Sequence, residues 1–485
     1  MMKFNKYIII AALGFTFLSC GDDFLNPIPE SAIVVDAFFE TDQDVFAGII
    51  GIYDAAQGVN ENTNSSELTS NRGIQFEYML VEMRSDNTKS QTLEGSKADF
   101  HRYIVVPENN ESEDYYQSMY EIIFRANNVL NFIDVADEEN QASYRGEAVF
   151  MRAYAYFNLV RLYGAVPLVT SVVNPSDNEA LFTRIAPAQI YTQIESDLQE
   201  AIGALDNSSR SRASRGAAQA LLAKVYLTQE NRNYAGARQL CEDIMNSGDY
   251  SLQDNFFDIF YDELNDEIMF AIQFELGNTL ESQSFSSEFT STFRQGRDDG
   301  LNLIDNPNLI EDFINFGGNR TGVSFVTFGT RHETTKFLPG GTDITSMPPT
   351  YGPSPRNAGN DWIVIRYADV LLMHTEAILA GGRETTDADA IDSYMEVRVR
   401  AGFDPVADRP LRLTSDDLLV ERRVEFAWEN QRFFDLERFG VADAVLSAHA
   451  AQMGYTGYNA RQLLLPIPSR EINLSRGLLT QNPGY

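Results

Sequence analysis

Two polar stretches hold the side chains whose types suit ligand recognition. Residues 60–105 carry Arg72, Glu77, Tyr78, Arg84, Asp86, Asn87 and Tyr103; residues 272–360 carry Arg294, Arg297, Arg331, Tyr351 and Arg356. Arginine presents a planar fork of donors that fits hydroxyls, uronates and peptide carboxylates alike. Several loop arginines in an acidic chain point to an anionic group on the ligand; the competing reading is a solvated surface. Arg72, Tyr78, Arg84, Asp86, Asn87, Tyr103, Arg297, Arg331 and Tyr351 are the expected ligand contacts.

Bond-breaking chemistry finds less material. There is no His-Glu-x-x-His and no Gly-x-Ser-x-Gly, and the glycine spacing of Gly317 to Gly322 is followed by Val323 where a phosphate-binding loop requires Lys. Asp298, Asp299 and Asp305 lack the spacing and turn glycine of an EF-hand, so a structural calcium stays open only as a minor alternative. His374 shares a helical face with Tyr367, Leu371 and Ile378, and Cys241 one with Ala237, Leu240 and Ile244; both read as core. Paired carboxylates are too common here to mark a glycosidase dyad. The expectation is therefore a non-enzyme without cofactor or metal.

These residues need a scaffold, and the composition supplies one. The chain has 485 residues, 44 % of them hydrophobic, enough for a large core. Lys and Arg number 37 against 70 Asp and Glu, a net charge of −33, which excludes a general nucleic-acid binder. Three- and four-residue apolar steps predict helices over Ser112–Val135, Glu138–Tyr163 (ending at Gly164), from Pro187, and over Ser214–Thr228, Tyr234–Met245, Tyr367–Leu379 and Asp387–Val399. Ala223, Tyr226, Tyr234 and Ala237 resemble a degenerate tetratricopeptide hairpin. The fold class is mainly α: a scaffold of tetratricopeptide-like hairpins, mainly 112–250 and 361–450. The loop-rich, ligand-facing regions are about 60–105 and 272–360, with a few short strands such as Val323–Phe328.

The N-terminus reads as an export signal. Lys3 and Lys6 precede the apolar run Tyr7 to Phe17, which is too short to span a bilayer, and Phe17-Leu18-Ser19-Cys20 follows. The order resembles a bacterial lipobox, with residues 1–19 removed and Cys20 lipidated. Residues 20–30 form a tether and 31–485 the folded domain. The acidic pair Asp22-Asp23 resembles a surface-export signal of Bacteroidetes lipoproteins.

Seven segments in order carry a wider resemblance: Cys20 to Pro27, Arg152 to Leu168, Ser214 to Leu227, Ile365 to Met373 with Glu376-Ala377, Glu421 to Arg438, Leu465 to Pro468, and Gln481 to Tyr485. Together they resemble the SusD/RagB family of nutrient-binding outer-membrane lipoproteins. The resemblance implies four tetratricopeptide-like units plus an irregular ligand-facing subdomain. It implies partners too: a glycan ligand, or an oligopeptide as in the RagB branch, and a SusC-like TonB-dependent transporter over which the protein sits as a lid. Location would be the outer membrane, lipid-anchored and facing outward. A secreted hydrolase is the remaining alternative.

The Glu421–Arg438 segment reads as one helix, in which Arg432, Asp435 and Arg438 pair along a face; Arg366 and Asp369 are likewise three apart. These hold helices together rather than touch ligand. Only two Trp are present, so a sugar-stacking platform falls to Tyr78, Phe100, Tyr103, Phe325, Phe328 or Tyr351, with Trp362 a further possibility.

Overall fold

The computed structural model describes residues 38–60, 71–90, 95–289, 303–304, 307–328, 331–340, 342 and 356–485. The signal segment, Cys20 and the tether lie outside the described residues.

The protein is mainly helical, as the apolar periodicity requires. Helix α1 (Asp42–Gln57) starts at a capping box: the Asp44 N–H donates to Thr41 Oγ1 at 3.3 Å, and the Thr41 N–H donates to Asp44 Oδ2 at 2.8 Å. Next come α2 (Asn110–Asn131), α3 (Glu138–Tyr163), α4 (Pro187–Ala204), α5 (Arg215–Thr228) and α6 (Tyr234–Ser247). Helix α3 is buried almost all round from Gly146 to Tyr163, since α1, α2 and α4 pack on it from different sides. It ends at Gly164, whose φ of 72° suits glycine. The second half repeats the pattern with α7 (Pro307–Phe316), α8 (Tyr367–Leu379), α9 (Ala388–Arg400), α10 (Ser415–Glu425), α11 (Arg432–Arg438) and α12 (Ala442–Met453). Helix α8 joins the halves, packing against both α6 and α9. Antiparallel neighbours joined by short turns give the tetratricopeptide-like scaffold.

Strands serve the loops. Apart from two two-residue antiparallel pairs, Val166–Pro167 with Arg184–Ile185 and Glu384–Thr385 with Leu413–Thr414, they are in chain order β1 (Thr88–Lys89), β2 (Ile268–Ile272), β3 (Leu303–Ile304), β4 (Phe325–Phe328), β5 (Arg331–Thr334) and β6 (Trp362–Arg366). One antiparallel sheet runs β1-β3-β5-β4. The strand expected over 323–328 is therefore shorter, because Thr321–Ser324 closes a helical turn first. Separately, β2 pairs antiparallel with β6, with register shifts around Phe270. Both strands of this pair are nearly all buried between the helical scaffold and the irregular loops.

Buried ion pairs fasten the pair β2–β6 to the C-terminal helices. Arg366, 1 % exposed at the end of β6, donates to Glu267 at 2.7 Å and to both Glu429 oxygens at 2.7 and 3.0 Å, and also pairs with Glu425 at 2.5 Å. Arg320 adds contacts to Glu421 at 2.7 Å and Glu425 at 2.6 Å. A second cluster joins Lys224 and Arg422 to Asp369, and Arg422 and Arg438 to Asp435. Such networks add little net stability over apolar packing, but removing one member strands a buried charge.

Three expectations change here. Glu421–Arg438 is not one helix: α10 stops at Glu425, and a turn with Trp428 at φ 64° and Asn430 at φ 57° precedes α11. The turn aims the Glu425 and Ala427 carbonyls and the Glu429 carboxylate at Lys336 Nζ, at 2.9, 3.1 and 2.7 Å. Nor does Arg432 pair with Asp435; it turns to Asp86. Trp362 is buried, edge-on to Phe285.

Candidate ligand cavity

The stretch expected to present ligand contacts between 72 and 103 folds inward instead. Arg84 is 1 % exposed, lies 4.2 Å over the Phe433 ring, and donates to the Leu80 carbonyl at 3.0 Å and to the Gln462 carbonyl. Asp86 accepts from Arg432 Nε at 2.8 Å and pairs with Arg423 at 2.9 Å; these guanidiniums hold its carboxyl well below the usual range despite burial. Asn87 bridges Glu82 and Arg423, each at 2.9 Å. The Tyr103 hydroxyl donates to the Arg84 carbonyl, and Tyr78 packs edge-on to Phe289. Glu77 and Phe100 are buried too. These residues are interior framework, a correction to their reading as surface contacts. Arg72 alone of this group stays half-exposed, donating to the Val59 carbonyl at 3.3 Å. Arg294, Arg297 and Tyr351 lie outside the described residues, as do the side chains of Phe328 and Arg331. Phe325 is buried against Phe313, and Arg356 is partly exposed, 3.8 Å from Glu288.

A different segment offers an open site. Between Phe256 and Glu267 the chain makes one helical turn, Asp258–Tyr261, which brings residues four apart together. Phe257 and Tyr261 thereby stack, ring centroids 4.2 Å apart and 14° from parallel. Phe257 remains 45 % exposed. The turn is fixed from below by Asn265, whose amide donates to the carbonyls of Asp258 and Ile259 at 3.3 Å and of Asp262 at 2.8 Å. Tyr261 is held at its other end: its hydroxyl donates to the Thr335 carbonyl at 2.6 Å and accepts from the Leu338 N–H at 3.1 Å.

Tyr261 lines a cavity of about 180 Å³ with Asp262, Glu263, Leu276, Gly340, Asn360 and Asp361, over a floor that includes Ile268 and Ala271 of β2 and Ile363 of β6. Two loops wall it and are stitched together by Gln283 and Ala358, which exchange backbone hydrogen bonds at 3.0 and 2.9 Å, and by the Gly277 N–H to the Asn357 carbonyl at 2.9 Å. The approach is so close that a Cβ on Gly359 would stand 2.5 Å from the Leu276 nitrogen. Asp361 accepts from the Phe274 N–H at 3.0 Å; burial, reinforced by Glu263, pushes its carboxyl up to about 7. Exposed apolar Leu276 and Leu280 stand on the same loop.

An exposed aromatic face beside hydrogen-bonding carboxyl and amide groups is an arrangement that holds a ligand with both apolar C–H surface and hydroxyls. The signal in the sequence was the pair of aromatic doublets Phe256-Phe257 and Phe260-Tyr261 among acidic residues. Larger cavities open on the helical scaffold, one of about 670 Å³ between Tyr234, Gly381 and Ser415. Among the described residues no group of three or more His, Cys, Asp or Glu is placed to hold a metal ion, and no helix is long and apolar enough to cross a membrane.

Comparison with known proteins places the fold. Residues 327–485 match the model of the SusD family, and residues 23–227 match a model described as starch-binding and associating with the outer membrane. A SusD-like protein of Formosa agariphila is 25 % identical over the full length of both chains. Among solved structures, a laminarin-binding SusD-like protein superposes with a TM-score of 0.73 at 24 % identity, covering 92 % of this chain and 100 % of its own. Surface glycan-binding protein A of Bacteroides thetaiotaomicron, in complex with laminarihexaose, gives a TM-score of 0.73 at 21 % identity, covering 91 % and 99 %.

Proposed function

The chain belongs to the SusD/RagB family, and from that premise we propose that it captures oligosaccharides at the cell surface and delivers them, chemically unchanged, to a SusC-like TonB-dependent transporter for which it acts as the lid. The observation that carries this reading is the Phe257–Tyr261 stack beside the cavity lined by Asn360 and Asp361. A pyranose would lay its C–H face on Phe257 and give its hydroxyls to the carboxyl and amide groups. Relatives of the same fold that bind laminarin or carry laminarihexaose support a glycan as ligand.

The rest of the chain fits the task. Cys20 is the lipid anchor and residues 21–30 the tether, so the domain needs no spanning helix. The tetratricopeptide-like helices form the docking face for the transporter, and the loops around 272–289 and 356–361 face the nutrient. Outer-membrane association agrees with the description of the matched family model.

Affinity electrophoresis of residues 21–485 in polysaccharide gels, with calorimetry and a peptide digest alongside, tests the proposal. Retardation by a glycan without product formation is the expected result. Binding to peptides alone, or cleavage of the glycan, would overturn it.

A further inference from the structure

If the cavity is the glycan site, the charge around it narrows the class of glycan. Three carboxylates line it, Asp262, Glu263 and Asp361, and no Lys or Arg among the described residues does. Asp262 and Glu263 are exposed, as is Glu275 on the adjoining loop. The cause reaches back to the sequence: between Arg238 and Arg294 the chain carries no Lys or Arg at all. That segment supplies Phe257, Tyr261, β2 and Leu276, so one wall and the aromatic pair come from a purely acidic run.

Among the described residues, the cations on the bordering segments are paired with other groups: Arg356, partly exposed on the 356–361 loop, stands 3.8 Å from Glu288. Lys336 is fully buried and bound to Glu429 and two carbonyls. Arg366 is enclosed by Glu267, Glu425 and Glu429. Arg210 pairs with Asp266 at 3.0 Å. Arg84, which with the other loop arginines pointed to an anionic ligand, is inside the protein.

Carboxylates accept hydrogen bonds from sugar hydroxyls, but they repel another anion at the same short range. We propose that this cavity selects neutral oligosaccharides and rejects those bearing uronate or sulfate groups. The inference rests on the reading of the cavity as the glycan site and adds the sign of its selectivity. Asp361 and Asn360 supply hydrogen bonds to hydroxyls, while Asp262 and Glu263, at the exposed rim, supply the repulsion.

The test is calorimetry on the full chain with neutral gluco- and xylogluco-oligosaccharides and with size-matched oligogalacturonates, at low and high salt. A neutral member binds, and the uronates bind about tenfold or more weakly at low salt, with the gap closing as salt screens the rim. Replacing both exposed carboxylates, Asp262→Lys with Glu263→Lys, narrows the neutral-to-uronate ratio by about tenfold. Uronates binding as tightly as neutral sugars, or a ratio indifferent to the charge reversal, would overturn the selectivity and leave glycan capture standing. Failure of every glycan of both classes would overturn the capture reading, and the selectivity with it.

Discussion

Phe257 lies face to face with Tyr261, ring centroids 4.2 Å apart, yet the two rings live in different surroundings: Phe257 is 45 % exposed, while Tyr261 is anchored through its hydroxyl to the 335–338 segment. One ring is therefore available to a ligand and the other fixes its orientation. This division separates two substitutions. Phe257→Ala removes the exposed face and weakens oligosaccharide binding about tenfold, with little change in melting temperature. Tyr261→Phe leaves the Leu338 N–H and Thr335 carbonyl without their partner and costs about 1–3 kcal/mol of stability. Calorimetry and thermal unfolding of both variants check the split; a Phe257→Ala protein that binds normally would remove the platform from the account.

Arg84 behaves as a framework residue. Its guanidinium holds the Leu80 and Gln462 carbonyls and covers Phe433. Arg84→Ala should cost about 3 kcal/mol through two lost charge-assisted hydrogen bonds and the packing of the stem. Denaturant unfolding would report a lower midpoint with ligand affinity of the folded protein intact. An unchanged midpoint with lost binding would return Arg84 to the ligand site.

Glu82 gives the fold a measurable pH dependence. It is fully buried, and burial pushes its carboxyl up from 4.5 to about 7, although Asn87 and the Trp428 N–H favour its charged form. Between those values the native state holds a proton that the unfolded chain releases. Stability from this group is therefore present below pH 4.5, falls as pH rises towards 7, and is flat above, a total of up to about 3 kcal/mol. Asp86, held low by Arg423 and Arg432, acts in the opposite sense, losing its contribution as pH falls below about 4. Glu82→Gln should match the wild type near pH 4 and exceed it at pH 8 in urea unfolding; a variant weaker at pH 8 would contradict the burial cost.

On the proposed reading, membrane attachment rests on Cys20. In Cys20→Ala the protein should leave the membrane fraction for the soluble one when the transporter is absent. Retention under those conditions would exclude the lipid as the anchor.

Much of the scaffold was legible because its signals are local. Glu138–Tyr163 and Tyr367–Leu379 have the bounds that their apolar spacing predicts, and α9 is displaced by one residue from the expected Asp387–Val399. What was not legible depends on distant partners. The 72–103 stretch looks polar and loop-like, but Asp86 and Asn87 find Arg423 and Arg432 more than 300 residues away. The break at Phe426–Gln431 answers to Lys336 and Arg366, whose positive charges draw Glu425 and Glu429 inward and set two residues at positive φ. The cavity is legible only in part: Leu276, Gly340 and Asn360 fall within the loop region 272–360, while the aromatic pair does not. Its aromatic pair belongs to a short turn ahead of β2, and Asp361 reaches it only through the pairing of β2 with β6.

Capture without chemistry requires that this cavity hold an intact sugar. A crystal structure of the full folded domain with an oligosaccharide identified by affinity electrophoresis tests it most directly. The expected result is a pyranose ring stacked on Phe257, hydroxyls at Asp361 and Asn360, and an uncleaved chain. Sugar bound elsewhere with the Phe257 face empty, or cleaved at the site, would contradict it.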